Sequence, residues 1–144
     1  IMRGYWNNKD LTSAALRNGW FYTGDLARMD QDGFFYLVDR KDDLIISSGF
    51  NVYPSQIEEV LKRHPKIKDA AVIGAPDRIK GQAILAVIVL REGMQGDKEE
   101  FLNYCKENVP DYRVPKTILL RDAIPRNPAG KILKRVLKQE AQAV

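Results

Sequence analysis

The sequence predicts an α+β fold: a small domain with a short mixed sheet flanked by helices, preceded by a strand-rich leading segment. Three observations point there. From about residue 43 the local signals run strand, helix, strand, strand, helix, strand, helix. Ala83 to Leu90 is an unbroken run of eight apolar residues, as a central strand buried on both faces requires. Residues 1–41 look like the trailing edge of a preceding domain, and 4–19 have no core of their own.

Residues 4–19 read as a loop and a short helix, and Trp20 to Tyr22 as an aromatic strand. Asp30-Gln31-Asp32-Gly33 is a turn signal between strands at about 25–29 and 34–39. A calcium loop would need more carboxylates and a closing Glu at fixed spacing, which are absent. The charged run Asp39-Arg40-Lys41-Asp42-Asp43 cannot enter a core, so it marks an exposed crossing and a boundary between residues 1–41 and 42–144. Leu44 to Ile46 then starts a strand, and Ser47-Ser48-Gly49 is a flexible turn. Ser55-Gln56-Ile57-Glu58 fits a capping box, with Ile57, Val60 and Leu61 on one helical face. Ala70 to Gly74 reads as a strand, and Asp97-Lys98-Glu99-Glu100 opens a helix that turns Phe101, Leu102 and Cys105 inward. Thr117 to Leu120 is a further strand, and a last helix runs from about Ile132 with Ile132, Leu133, Val136 and Leu137 on one face.

The chain has 144 residues, 44% of them hydrophobic, which suffices for one compact domain or a small domain plus a piece of another. A charged fraction of 29% does not fit a disordered composition. No apolar run approaches the roughly 20 residues of a membrane helix, although peripheral association with a membrane stays compatible with the composition. The first residues lack a signal-peptide pattern, and a start at Ile1 reads as a fragment of something longer. The single cysteine, Cys105, allows no intrachain disulfide, so a reducing, cytoplasmic setting is expected. The single histidine, His64, rules out a histidine-cluster metal site and reads as a helix-end residue, so no metal ligand is assigned.

Charge is unevenly placed along the chain. Residues 1–38 balance four basic against four acidic side chains, whereas 112–138 carry eight basic and one acidic, a balance of +7. Such a segment suits an anion: phosphate, nucleotide, coenzyme or nucleic acid. A nucleic-acid module would interleave aromatics with the basic residues, and only Tyr112 does so.

Three constellations have chemical potential. In Tyr22-Thr23-Gly24-Asp25, a carboxylate follows a glycine at a strand edge, where two acceptor oxygens suit a ribose diol; a plain turn carboxylate is the competing reading. In Arg40 to Asn51, Arg40 offers a donor fork and Gly49 permits close backbone approach; an exposed linker and turn is the competing reading. In Pro125-Arg126-Asn127-Pro128-Ala129-Gly130-Lys131, two prolines and a glycine frame a loop that delivers one lysine ahead of a helix. A phosphate-binding P-loop is excluded, because Pro125 and Ile132 stand where it needs glycine and Ser or Thr. A loop lysine can act as a point charge on a phosphoryl group, against the competing reading of a surface lysine in a basic stretch.

Together, Gly19-Trp20-Phe21-Tyr22-Thr23-Gly24-Asp25, Gly33-Phe34-Phe35-Tyr36-Leu37-Val38-Asp39-Arg40-Lys41-Asp42, Ser48-Gly49-Phe50-Asn51-Val52-Tyr53-Pro54, Ile57-Glu58-Glu59 and Gly130-Lys131 resemble, in order and spacing, the adenylate-forming enzymes. That family includes acyl-CoA synthetases, firefly luciferase and peptide-synthetase adenylation domains. The Ser-Gly-Phe-Asn-Val-Tyr-Pro wording is most similar to bacterial long- and medium-chain fatty-acyl-CoA ligases.

The resemblance implies that residues 1–41 are the trailing edge of a large ATP- and acyl-binding domain, and 42–144 a mobile C-terminal domain. It implies a reaction in which a carboxylic acid and ATP, with Mg2+ held mainly by the nucleotide and the preceding domain, give acyl-AMP, which coenzyme A then converts to the thioester. Asp25 and Arg40 would then contact the nucleotide, Asp42 would be the hinge, and Lys131 would bridge acyl carboxylate and α-phosphate. Ser48 and Gly49 would line the pantetheine channel, and Lys106 would reach the coenzyme's 3′-phosphate. Asn51 stands where some acetyl-specific members carry arginine, and Ile46 where luciferase-type members carry lysine. An adenylation domain for another carboxylic or amino acid is the alternative within the same chemistry. The resemblance also implies that Lys131 is open to acetylation.

Overall fold

The computed structural model describes residues 1–142. The chain divides into two compact units, the first Ile1–Asp42 and the second from Asp43 onward. Asp42 therefore closes the first unit, one residue from the boundary that the charged run predicts.

In the first unit, α1 (Lys9–Ala15) is capped by Asn8, whose side chain accepts from the Leu11 amide at 2.9 Å. Two antiparallel pairs follow: β1 (Leu16–Arg17) with β2 (Trp20–Phe21), and β3 (Asp25–Met29) with β4 (Phe35–Arg40). The acidic turn between β3 and β4 organises itself. Asp30 Oδ1 accepts from the amides of Asp32 and Phe34, and Tyr36 donates its hydroxyl to Asp30 Oδ2 at 2.8 Å. These bonds, the one from Tyr36 foremost, hold the Asp30 carboxyl below its ordinary range. No residue of this unit is buried; Trp20, Phe35 and Leu37 are each more than 70% exposed.

The second unit is built on a five-stranded sheet of β5 (Ile45–Ser47), β6 (Phe50–Val52), β7 (Ile67–Asp77), β8 (Gly81–Leu90) and β9 (Thr117–Leu120). The order is β6-β5-β8-β7, all antiparallel, while β9 pairs with β8 in parallel, so the sheet is mixed. Three helices flank it: α2 (Pro54–Lys62), α3 (Lys98–Asn108) and α4 (Lys134–Gln142). The apolar run of β8 serves two cores in strict alternation. Ile84, Ala86 and Ile88 face one with Ile57 and Leu61 of α2 and Phe101 and Cys105 of α3; Leu85, Val87 and Val89 face the other with Leu137 of α4.

Several boundaries differ from those the sequence suggests. Helix α2 starts at Pro54, a proline preset for the first turn, with Tyr53 at the N-cap, so Ser55 stands inside the helix and not at its cap. Glu58 turns instead to the sheet, where Oε1 accepts the Val72 amide at 2.8 Å and pairs with Lys134 Nζ at 2.8 Å. Val72 lies on β7, the outer strand. Its neighbour in the same phase, Ala70, gives its amide to Asp69 Oδ1 at 2.9 Å, and Pro76 has no amide to give. Strand β7 is longer than Ala70 to Gly74 because the hairpin register with β8 carries it to Asp77. Helix α4 begins at Lys134, not Ile132: the Leu133 amide donates to Pro125 O at 2.8 Å, which keeps that stretch extended. Leu133 is 36% exposed and leaves the apolar face to Ile132 and Leu137.

Candidate functional site

Each unit holds part of the set of residues that the sequence suggests. In the first, Asp25 and Arg40 are register partners across β3 and β4. Arg40 Nη1 donates to Asp25 Oδ1 at 2.8 Å, with both side chains partly open to solvent. Thr23 Oγ1 accepts the Asp25 amide at 3.1 Å, and Gly24 O accepts the Lys41 amide at 2.8 Å, which fixes the strand end. An open cleft of about 790 Å³ runs along Tyr22, Gly24, Asp25, Arg40 and Asp42. A carboxylate whose orientation is set by a guanidinium, at the lip of a cleft, can accept from two hydroxyls at once.

In the second unit, Ser48 and Gly49 form the two-residue loop joining β5 to β6. Their φ values are +51° and +81°, as a type I′ hairpin turn demands of both central residues, so the turn is tight rather than flexible. The Ser48 amide donates to Lys80 O at 3.0 Å, seating the hairpin tip against the β7–β8 turn. A cavity of about 280 Å³ opens there, lined by Ser47, Ser48, Phe50, Lys80, Tyr112 and Lys116. Phe50 and Tyr112 stack with ring centroids 4.9 Å apart. Lys116 Nζ sits 2.7 Å from Asp77 Oδ2. That bond, then the amides of Lys80 and Ile79, holds the Asp77 carboxyl well below the usual carboxylate range. Lys106 is elsewhere, on the exposed side of α3, with Nζ 3.3 Å from Asn103 Oδ1, and does not line this cavity. Lys80 and Lys116 are not singled out from the sequence, and Tyr112 stands out there only as the aromatic among the basic residues. The turn signal Asp77-Arg78-Ile79-Lys80-Gly81 places Lys80, but only the fold brings it beside Ser48.

Lys131 lies at the end of a closed loop. Arg126 and Ile132 form an isolated antiparallel bridge. Asn127 closes the loop from both sides: its amide donates to Lys131 O at 2.9 Å, and its Oδ1 accepts the Lys131 amide at 2.9 Å. Gly130 has φ +80°, which lets the chain reverse before the lysine. Arg126 donates one guanidinium nitrogen to Gly130 O and another to Asp69 Oδ2 on β7. The Lys131 side chain is exposed and makes no ion pair among the described residues.

That isolation contrasts with its neighbours. Of the basic segment 112–138, Lys116 pairs with Asp77, Arg121 with Glu140, Arg126 with Asp69, Lys134 with Glu58 and Lys138 with Asp43. The +7 of the sequence is therefore largely neutralised within the fold. His64 is buried beside the end of α2, edge-on to the rings of Phe101 and Tyr104, with Nε2 3.7 Å from Glu100 Oε1. Among the described residues no group of three or more His, Cys, Asp or Glu side chains could hold a metal ion.

A mixed sheet with helices on both faces and a lysine presented on a clamped loop defines a class already known from solved enzymes. One is O-succinylbenzoate–CoA synthetase from Bacillus subtilis in complex with an acyl-adenylate intermediate, with a TM-score of 0.86 and 40% identity over 96% of this chain and 28% of that one. The chain belongs to the AMP-binding enzyme C-terminal domain family, whose model matches residues 56–131. Among curated relatives, a long-chain-fatty-acid–CoA ligase of Bacillus subtilis is 43% identical over 97% of the chain. A 2-succinylbenzoate–CoA ligase of Geobacillus kaustophilus is 42% identical over 96% of it. The chain spans 25% and 28% of those two proteins, about a quarter of their length.

Proposed function

We propose that this chain is the C-terminal part of an ATP-dependent, AMP-forming CoA ligase that acts on a carboxylic acid. The observation that supports it most is Lys131: exposed, without an ion-pair partner among the described residues, and carried on a loop fastened at both ends. In the first step an acid carboxylate attacks the α-phosphorus of ATP and expels pyrophosphate. Lys131 would span the carboxylate and α-phosphate, both anionic, and offset the charge that builds between them. Asp25, oriented by Arg40, would hold the ribose hydroxyls. Mg2+ would arrive with the nucleotide, and no step is assigned to a metal held by this chain.

In the second step the coenzyme A thiol attacks the acyl carbonyl and AMP leaves. Ser48 and Gly49 would border the pantetheine, since a glycine in a tight turn admits a thin chain to the backbone. Lys80 and Lys116 with the Phe50–Tyr112 stack suit the phosphates and base of the same cofactor, a site that Lys106 does not line. Asp42, at the junction of the two units, is the proposed hinge that exchanges the faces used in the two steps. The exposed aromatic and aliphatic side chains of the first unit suit the edge of a larger ATP- and acyl-binding domain, which would supply the rest of the active site. On this reading the chain alone does not complete the reaction.

A fatty acid is the favoured substrate, on the wording of the Ser48–Pro54 run; nearly equal identities to fatty-acid and succinylbenzoate ligases keep another acid in play. We place the enzyme in the cytoplasm; no helix among the described residues is long and apolar enough to cross a membrane. The test is pyrophosphate exchange by the intact enzyme across fatty, aromatic and amino acids. Exchange with fatty acids, lost in Lys131→Ala by about 100-fold or more, is expected. Normal exchange by Lys131→Ala would remove Lys131 from the mechanism.

A further inference from the structure

We propose that Arg126 is a positioning residue for Lys131, acting as a fork that fastens the lysine loop to strand β7. This inference rests on the adenylation role proposed for Lys131. The geometry is specific. One Arg126 guanidinium nitrogen holds the carbonyl of Gly130, the residue immediately before Lys131, and another holds Asp69 Oδ2. Asp69 is itself anchored. Its Oδ1 accepts the Ala70 amide at 2.9 Å and lies 3.4 Å from Lys62 Nζ of α2. The loop that carries Lys131 is thus tied, through one planar cation, to the core sheet and to a second helix.

The physical need for such a tie follows from the lysine itself. Its ammonium sits on a flexible four-carbon stem, so its reach is only as well placed as its Cα. Gly130, at φ +80°, turns the chain immediately before the lysine, and a glycine brings no side chain to hold that turn in place. Asn127 closes the loop upon itself, but its three bonds, two with Lys131 and one from the Gly130 amide, are internal and do not fix the loop relative to the sheet. Arg126 supplies that missing constraint at the glycine. A lysine at 126 would not replace it, because a single ammonium lacks the planar fork that reaches a carbonyl and a carboxylate in fixed directions.

The test uses the intact enzyme and separates the half-reactions. Arg126→Gln is expected to lower the rate of acyl-adenylate formation about 10- to 100-fold, the usual consequence of displacing a catalytic group by about an ångström. Thioester formation from added acyl-adenylate should stay within about twofold, which also verifies folding. Arg126→Lys should recover little of the loss. In a Lys131→Ala background, Arg126→Gln should have no further effect on adenylation, because a positioning residue has nothing left to position. A normal adenylation rate in Arg126→Gln, an equal loss of both half-reactions, or a loss that compounds with Lys131→Ala would each overturn the proposal. Normal adenylation by Lys131→Ala alone would instead bring down the assignment of Lys131, and this inference with it.

Discussion

Glu58 on α2 and Lys134 at the start of α4 form a close ion pair, 2.8 Å apart, with side chains only 13% and 14% exposed. The same carboxylate oxygen also accepts the Val72 amide of β7. One side chain therefore joins a helix on each side of the sheet to its outer strand. Removing it strands a largely buried ammonium and an amide together. Glu58→Ala is expected to cost about 3 kcal/mol, and Glu58→Gln less, since an amide oxygen can still accept from Val72. Urea unfolding of the two variants checks this, and an unchanged midpoint for Glu58→Ala would count against the pairing.

Gly49 occupies the second central position of the hairpin turn with φ +81°. A Cβ there meets no atom within 4 Å, so the obstacle to substitution is backbone strain, not space. Gly49→Val should cost about 1–2 kcal/mol of stability. If the turn borders the pantetheine, the intact variant should also lose thioester formation more than adenylation. Equal rates in the two steps would separate Gly49 from the thiol path.

Asp69 gives a pH signature. Burial would raise its carboxyl, but the hydrogen bond from Arg126, the charges of Lys62 and Arg126, and the Ala70 amide together bring it below the ordinary carboxylate value. A carboxyl lowered in the folded state binds protons more tightly when unfolded. Its contribution is complete above about pH 4, the unfolded value, and fades as pH falls through the folded one. The stability gap between the wild type and Asp69→Asn should therefore be wide at pH 7 and narrow by pH 3, read from urea midpoints. A gap that widens in acid would contradict the assignment.

Cys105 is fully buried against the α2–α3 core, and burial pushes its thiol up to about 11. Iodoacetamide at pH 8 should modify it at least about 100-fold more slowly in the folded chain than in denaturant. Rapid labelling of the native protein would mean that α3 opens far more often than its packing suggests.

A charge-removing modification of Lys131 offers a fifth measurement. Acetylation should block adenylation in the intact enzyme and spare thioester formation from acyl-adenylate. Equal loss of both steps would show that the lysine serves more than the first.

The sheet was legible because β8 could only be a doubly buried strand, and its alternation between two cores follows from eight apolar residues in a row. Helix α3 was legible from Asp97, which accepts the Glu100 amide at 2.8 Å. The start of α2 is ambiguous in the sequence because Pro54 and Ser55 both signal a first turn, and Glu58 is drawn away from a cap by Val72, 14 residues distant. Distance in sequence also hid the site's supports. Lys131 stands out on its own loop, but Arg126 reaches Asp69 across 57 residues, and Lys116 reaches Asp77 across 39. The charge balance of 112–138 misleads for the same reason: all five carboxylates that neutralise it lie outside that segment.

The outer strand β7 has a further consequence. Between Ala70 and Pro76, carboxylates occupy two of the amides that point away from β8, and a proline abolishes a third, leaving only that of Gly74. An edge so depleted of donors is a poor template for a strand from another molecule. If the swing between two docking faces proposed above holds, this flank would be exposed each time the module changes face. With so few donors it would have little to offer a second copy, and crowding in the cell would not convert that motion into aggregation.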